Sequence, residues 1–171
     1  ELGDSGGLSR GSISIGATET ALNIFLLEKL KSFHMEYPGI RLKLYNHSTP
    51  QAVEAVKSGK IEFAVVTTPV EMKPPLKKIV LQSFREILVG GKTFTALGSQ
   101  VLSLAEVKNY PMICLGRETM TYQFYSQFFL KHCLELTPDT EVATTDQILP
   151  LVKNELGLAF LPEKIAEEAI A

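Results

Sequence analysis

The sequence predicts an α/β protein with two lobes, and three observations support this prediction. Segments with strand periodicity alternate with segments of helical periodicity along the 171 residues, which is typical of a parallel sheet flanked by helices. Ile61 to Val66 is apolar almost throughout, as in strands that are covered on both faces. A long extended segment, residues 77–91, then separates a first set of alternating elements from a second.

The first set is predicted to have the order βαβαβ. Ser and Ile alternate from Gly11 to Gly16, which predicts a strand, and apolar residues recur at helical spacing from Leu22 to Phe33. Pro38 and Gly39 end that helix. A second strand, a helix and the apolar strand complete the set, at residues 40–45, 48–58 and 61–66.

The second set begins with the extended segment KKIVLQSFREILVGG, which is long for one strand and carries Arg85 and Glu86 in its middle. We interpret it as a strand that leaves one sheet and enters another. Beyond it we expect helices at residues 103–109, 121–135 and 146–155 and strands at residues 111–116, 141–145 and 158–161. Pro162 opens a final helix, because proline is favoured in a first helical turn.

Three helix starts carry the S/T-x-x-E/Q capping box, at residues 48–51, 103–106 and 144–147. Each N-cap hydroxyl is worth about 1 kcal/mol, because it satisfies a helix N–H that otherwise has no partner. Two of these boxes follow a strand directly, and so does the GATET turn, Gly16 to Thr20. Helix N-termini at the carboxyl ends of parallel strands favour anions. An anion site is therefore expected there.

Composition and charge exclude several classes of protein. Lys and Arg number 17 against 19 Asp and Glu, and the basic residues are scattered, so these residues do not form a nucleic-acid surface. No apolar run approaches the roughly 20 residues that span a bilayer, and no secretory signal is visible. We therefore expect a cytoplasmic protein without a cofactor.

Several motifs that suggest catalysis have a simpler explanation. The GDSGG sequence around Ser5 surrounds the nucleophile of chymotrypsin-like proteases, but only four residues precede Ser5, whereas that family has its histidine and aspartate upstream. A flexible linker explains it better. The three histidines show no ligand spacing, which argues against a metal site; they are His34, His47 and His132. Cys114 and Cys133 are expected to be small buried hydrophobes, with a redox switch as the weaker alternative.

Four motifs stand in order along the chain: GSISIGATET, FHMEYPGIRLKL, STPQAVEAVKSGKIEFAVV and LVKNELGLAFLP. With these motifs the chain resembles the effector-binding domain of LysR-type transcriptional regulators from about Gly11 to Ala171. Each motif is weak alone, whereas the four in this order are fairly specific. Glu62 stands where that family usually has aspartate.

The resemblance implies the type II periplasmic-binding-protein fold: two Rossmann-like lobes joined by two crossing strands, with a small effector in the cleft between them. Lobe I would comprise residues 11–85 and lobe II residues 86–161, with a return towards lobe I at residues 162–171. Residues 1–10 would be a remnant of a linker helix or a cloning scar. The family has one more lobe I strand and a terminal helix beyond this point, so lobe I is expected to be incomplete here.

The resemblance also implies which residues contact the effector. These are Thr18 and Thr20 in the first turn, Ser48 and Thr49 at the capped helix, Thr67 and Thr68 after the third strand, and Arg117, Thr119 and Thr145 in lobe II. Hydroxyls and helix N–H groups suit a carboxylate, and Arg117 is able to pair with it bidentately. Capping alone is the alternative role for the hydroxyls, and a surface position is the alternative for Arg117.

The function that the resemblance implies is a non-catalytic sensor, whose ligand shifts the conformation of a homodimer or homotetramer. DNA would be bound only through a winged helix-turn-helix domain outside this sequence. Subunits would pair through the Leu22 to Phe33 face and the Thr121 to Glu135 face, for which core packing is the competing use. The alternative is a transporter's substrate-binding protein with the same fold. An enzyme is disfavoured, because no acid/base constellation is visible.

Overall fold

The computed structural model describes residues 11–170, so the predictions on Ser5 and residues 1–10 lie outside the described residues. The chain divides into two compact units, one that ends at Thr67 and one that begins at Thr68. The first unit contains the predicted βαβαβ set and the second contains the later elements.

The first unit is built on a parallel three-stranded sheet of order β2-β1-β3. The strands are β1 (Gly11–Ala17), β2 (Ile40–Asn46) and β3 (Phe63–Val65). Between β1 and β2 lie α1 (Glu19–Ala21), a π-helical turn (Leu22–Leu26) and α2 (Leu27–Glu36), and α3 (Thr49–Lys57) precedes β3. Parallel pairing follows from this alternation, because each helix carries the chain back to the start of the next strand.

The core of the first unit forms where the predicted helix face meets β1. Ile15, Ala17 and Leu26 are buried, and Leu42 and Val65 pack against them from the neighbouring strands. The alternating pattern of β1 and the helical spacing of the following segment are thereby confirmed.

One expectation for the first unit is wrong. The apolar run from Ile61 to Val66 was predicted as a strand covered on both faces, but β3 has only three residues and Phe63 is 44% exposed. The reason is position, because β3 lies at an edge of the described sheet rather than in its middle. Glu62 just before it accepts a hydrogen bond from the Ser14 N–H at 2.7 Å, which ties this edge to β1.

Among the residues that the structure describes, the second unit contains four strands in two ladders. β4 (Glu86–Val89) pairs with β7 (Ala159–Pro162) in antiparallel fashion, and β5 (Ile113–Leu115) pairs with β6 (Thr140–Val142) in parallel fashion. The Ile113 N–H donates to the Leu158 carbonyl at 2.8 Å and joins the two ladders. A side chain at Gly157 would collide with the Pro111 carbonyl, so glycine permits this close approach.

Helices cover these ladders. They are α4 (Leu104–Val107), α5 (Met120–Lys131), α6 (Ile148–Lys153) and α7 (Glu163–Ile170), with 3-10 helices at Lys92–Ser99 and Thr145–Gln147. Tyr122, Tyr125 and Phe129 of α5 are buried together with Cys114. A second cluster packs α6 and α7 against Ile113, Ala159 and Leu161. In the part of the chain that the structure describes, no helix is long and apolar enough to cross a membrane.

Two further expectations for the second unit need correction, and one element was not expected. The long strand predicted at residues 77–91 is real only at Glu86–Val89, because residues 77–85 have no ladder partner in the described chain, and Ile79 is 80% exposed. The 3-10 helix at Lys92–Ser99 was not predicted. Cys114 is buried as expected, but Cys133 is exposed, because α5 ends at Lys131 and Cys133 turns away with a φ of 58°.

Candidate functional site

In the first unit, the carboxyl ends of the three strands meet at one edge of the sheet. The Thr18 N–H donates to the Val65 carbonyl at 3.1 Å, and the His47 N–H donates to the Ala17 carbonyl at 3.0 Å. These bonds hold the turn after β1 next to the turn after β2 and the end of β3. The parallel order thus brings together residues that are far apart in the sequence.

Thr18 and Ser48 are the N-caps of the two helices that start at this edge. The Thr18 hydroxyl accepts from the Ala21 N–H at 3.3 Å, and the Ser48 hydroxyl accepts from the Gln51 N–H at 3.4 Å. The Gln51 side chain completes the predicted capping box by accepting from the Ser48 N–H at 3.0 Å. Within the described residues neither hydroxyl proton has an acceptor, so both are able to donate to a ligand.

The other predicted hydroxyls of the first unit are used internally or buried. Thr49 is 3% exposed, and its hydroxyl donates to the Thr67 carbonyl at 3.4 Å, which fixes the start of α3 to the chain after β3. Thr20 is buried on α1. Thr67 therefore contributes its backbone carbonyl to this hydrogen bond. Thr68 is exposed and is the first residue of the second unit.

A comparable edge exists in the second unit, where β5 and β6 end side by side. The Gly116 N–H donates to the Val142 carbonyl at 3.1 Å and joins the two strand ends. Thr119 is the N-cap of α5, and its hydroxyl accepts from the Tyr122 N–H at 3.1 Å. The same hydroxyl donates to the Gly116 carbonyl at 2.8 Å, so its proton is already engaged.

Arg117 and Thr145 complete this second edge. The Arg117 side chain is 70% exposed, and its Nε lies 3.6 Å from Glu141 Oε1. Such an exposed pair is weak, so the guanidinium remains able to bind an anion. Thr145 is buried in the 3-10 helix that follows β6, and the Gln147 side chain accepts from the Thr144 N–H at 3.4 Å, as the capping box predicts.

Arg85 and Glu86, the charged pair that the sequence singled out, have separate partners. The Arg85 guanidinium donates to both carboxylate oxygens of Glu163, at 3.0 and 2.7 Å. Glu86 accepts from the Tyr125 hydroxyl at 2.8 Å, and burial raises the pKa of Glu86 while that hydrogen bond opposes the shift. Burial also raises the pKa of Tyr125, so the phenol stays protonated. These contacts connect β4 with α7 and α5.

His47 lies in the turn after β2, and its ring is packed in a way that the sequence did not indicate. The ring stacks on Tyr45 with centroids 5.8 Å apart, and its Nδ1 is buried without a hydrogen-bond partner among the described residues. The His47 backbone N–H, by contrast, is bonded and helps to close the edge of the first sheet. In the described part of the chain, no three metal-ligating side chains are grouped.

Residues 6–171 match the protein family described as the LysR substrate binding domain, and the chain belongs to that family. A relative is the HTH-type transcriptional activator CmpR of Synechocystis sp., which is 23% identical over 163 residues, 94% of this chain and 52% of the relative. The chain spans about half the length of curated relatives that it matches, such as CmpR and the HTH-type transcriptional regulator SsuR of Burkholderia cenocepacia.

Solved structures show the same fold. The effector binding domain of QuiR in complex with shikimate aligns with a TM-score of 0.78 at 16% identity, covering 91% of this chain and 75% of that chain. The BenM effector binding domain with its effector benzoate aligns with a TM-score of 0.78 at 20% identity, covering 94% of this chain and 73% of that chain. The fold is therefore the α/β fold of LysR effector-binding domains, which is periplasmic-binding-protein-like, as the sequence predicted.

Proposed function

We propose that the chain is the effector-sensing domain of a LysR-type transcriptional regulator. A small anionic molecule binds in a cleft between lobe I (residues 11–85) and lobe II (residues 86–161), and residues 162–171 return towards lobe I. Ligand binding favours one arrangement of the lobes, and that preference is passed to a DNA-binding domain outside this chain.

The observation that carries this proposal is the pair of hydroxyls at the carboxyl edge of the first sheet. Thr18 and Ser48 cap helices and still have protons to donate, and their turns are held together by backbone hydrogen bonds. Arg117 supplies a cation at the corresponding edge of the second unit. Shikimate and benzoate, named with the QuiR and BenM domains, both carry a carboxylate, which is the group that such donors recognise.

The protein is also proposed to work as a homodimer or homotetramer in the cytoplasm. Apolar side chains are exposed on both helices that the resemblance assigns to subunit contacts: Leu27 and Met35 on α2, and Phe124 and Leu130 on α5. Burying such side chains against a second subunit would be favourable. A transporter's binding protein is the alternative class, but four curated relatives carry the names of HTH-type transcriptional regulators or activators, which favours the regulator. For the same reason we propose no catalytic activity.

A thermal-shift screen of small carboxylates tests the proposal, because a ligand that binds only the folded state raises the melting temperature. For an acid that is found in this way, Thr18→Ala and Ser48→Ala should each weaken binding about tenfold, since each removes a donor to a charged group. Calorimetric titration measures the affinity.

Ser58→Ala is the matched control. Ser58 lies at the C-terminal end of α3, the helix that Ser48 caps, and its hydroxyl donates to the Glu54 carbonyl at 2.9 Å, so its loss also removes a hydrogen bond of this helix. We expect Ser58→Ala to leave the affinity unchanged. Equal affinity in the wild type, Thr18→Ala and Ser48→Ala would refute the assignment of these hydroxyls to the site.

A further inference from the structure

A groove of about 1370 Å³ lies within the second unit, and its lining does not include any of the residues predicted to contact the effector. It is bordered by β4, by the 3-10 helix Lys92–Ser99, by the segment that leads into α4, and by the C-terminal end of α5. Because all of its lining belongs to one unit, its shape does not depend on the other unit.

The floor of the groove is apolar. Leu158 is 2% exposed and Val107 is 3% exposed, and Phe94 and Leu97 pack half-buried against them. Phe128 adds an exposed aromatic ring at the end of α5. A strongly polar ligand would leave its hydroxyls without partners on such a floor, whereas a hydrocarbon chain or ring would be favoured there.

The charged groups around the groove are mainly basic. Lys92 and Lys153 line it, and Glu155 is the only acidic residue in the lining among the described residues. The Glu155 carboxylate is already used, because it accepts from the N–H groups of Lys92 and Thr93 at 2.8 and 3.1 Å. A Cβ at position 91 would lie 2.6 Å from this carboxylate, so Gly91 allows the approach.

Two lysines and one carboxylate line the groove; hydrogen bonds from Thr93 and the nearby Lys92 charge lower the pKa of Glu155, so this carboxylate offsets part of the lysine charge. Across the described residues, neither the Lys92 nor the Lys153 ammonium has a carboxylate within 4.0 Å. The groove therefore carries a local positive charge on a chain whose net charge is −2. A positive rim above an apolar floor complements a molecule with a hydrocarbon body and one negative end.

We propose that this groove is a second ligand site, which binds small apolar carboxylic acids. The hydrocarbon lies along Leu158, Val107 and Phe94, and the carboxylate lies at the rim near Lys92 and Lys153. This site goes beyond the proposed effector cleft, since it uses neither of the two sheet edges described above. It would allow the domain to respond to a second compound.

The test uses the 171-residue chain and a series of straight-chain acids from butyrate to octanoate. Each added methylene should tighten binding by up to about fourfold, because burying a CH₂ is worth about 0.8 kcal/mol. In ¹H–¹⁵N NMR titrations the amides of Phe94, Leu97 and Val107 should shift. Octylamine, which has the same chain and the opposite charge, should bind at least about threefold more weakly than octanoate.

The variant Lys92→Gln/Lys153→Gln should weaken octanoate binding by about threefold or more, because both cations at the rim are lost. Lys108→Gln is the matched control, since Lys108 is an exposed lysine next to the groove that does not line it. Ser48→Ala should leave octanoate affinity unchanged, which separates this site from the effector cleft. No dependence on chain length, equal binding of octylamine, or an unchanged affinity in the double lysine variant would overturn the proposal.

Discussion

The carboxyl edges of the two sheets use the same capping chemistry but leave different groups available. In the first unit the hydroxyls of Thr18 and Ser48 accept helix N–H groups and keep their protons for donation. In the second unit the Thr119 hydroxyl accepts from one N–H and donates to the Gly116 carbonyl. A capping hydroxyl is therefore able to donate to a ligand only if its own proton has no acceptor within the protein. The first edge thus offers hydroxyls, and the second offers the Arg117 cation.

The largest effect on stability is expected at Thr119. Thr119→Ala removes the cap on α5 and the hydrogen bond to Gly116, each worth about 1 kcal/mol, so the free energy of unfolding should fall by about 2 kcal/mol. Thr119→Ser should restore most of it. Urea unfolding measures both variants. A loss no larger than that of Ser48→Ala, which removes only a cap, would show that the proposed difference between the two edges is wrong.

Glu86 should make the stability of the second unit depend on pH. Because burial raises the pKa of Glu86 above its ordinary value of 4.5, the folded state favours the protonated carboxyl. The protonated Glu86 carboxyl therefore contributes fully to the free energy of unfolding below the unfolded-state pKa. This contribution is lost as pH rises through the raised folded-state pKa.

Glu86→Gln mimics the protonated side chain and should remove this loss. The melting temperature of the variant relative to the wild type should increase as pH rises from 4 to 8. Glu135→Gln, at an exposed acidic residue of the same unit, serves as the control and should show no such trend. A difference in melting temperature between Glu86→Gln and the wild type that stays constant from pH 4 to pH 8 would contradict the prediction.

Arg117 should have the smallest effect on stability. Its pair with Glu141 is exposed and 3.6 Å long, so Arg117→Gln should change the free energy of unfolding by no more than about 0.5 kcal/mol. The affinity for an anionic effector should nevertheless fall several-fold, because a cation is lost from the site. Calorimetry and urea unfolding together separate the two effects. A large stability loss without a change in affinity would assign Arg117 a structural role instead.

Local pattern predicted much of this fold. Alternation in β1, helical spacing after Leu22 and the capping boxes at Ser48 and Ser103 depend on neighbours in the sequence, and the structure contains all of them. The segment at residues 77–85 could not be predicted in this way, since an extended segment becomes a strand only when a partner strand pairs with it.

The candidate site was harder to predict than the fold. The sequence placed hydroxyls at strand ends, but it could not show that the Thr49 hydroxyl donates to the Thr67 carbonyl. Nor could it show that the Ser48 hydroxyl has no acceptor among the described residues. That difference depends on how α3 packs against the end of β3. The groove of the second unit was missed entirely, because its lining comes from segments as distant as Leu88, Phe128 and Leu158.

An NMR titration with a carboxylate from the thermal-shift screen tests the central claim most directly. If the acid binds between the two carboxyl edges, the amides of Thr18 and Ser48 in the first unit and of Arg117 and Thr119 in the second should shift together, with the same dissociation constant. Shifts confined to one unit, or absent from all four amides at saturation, would contradict the account.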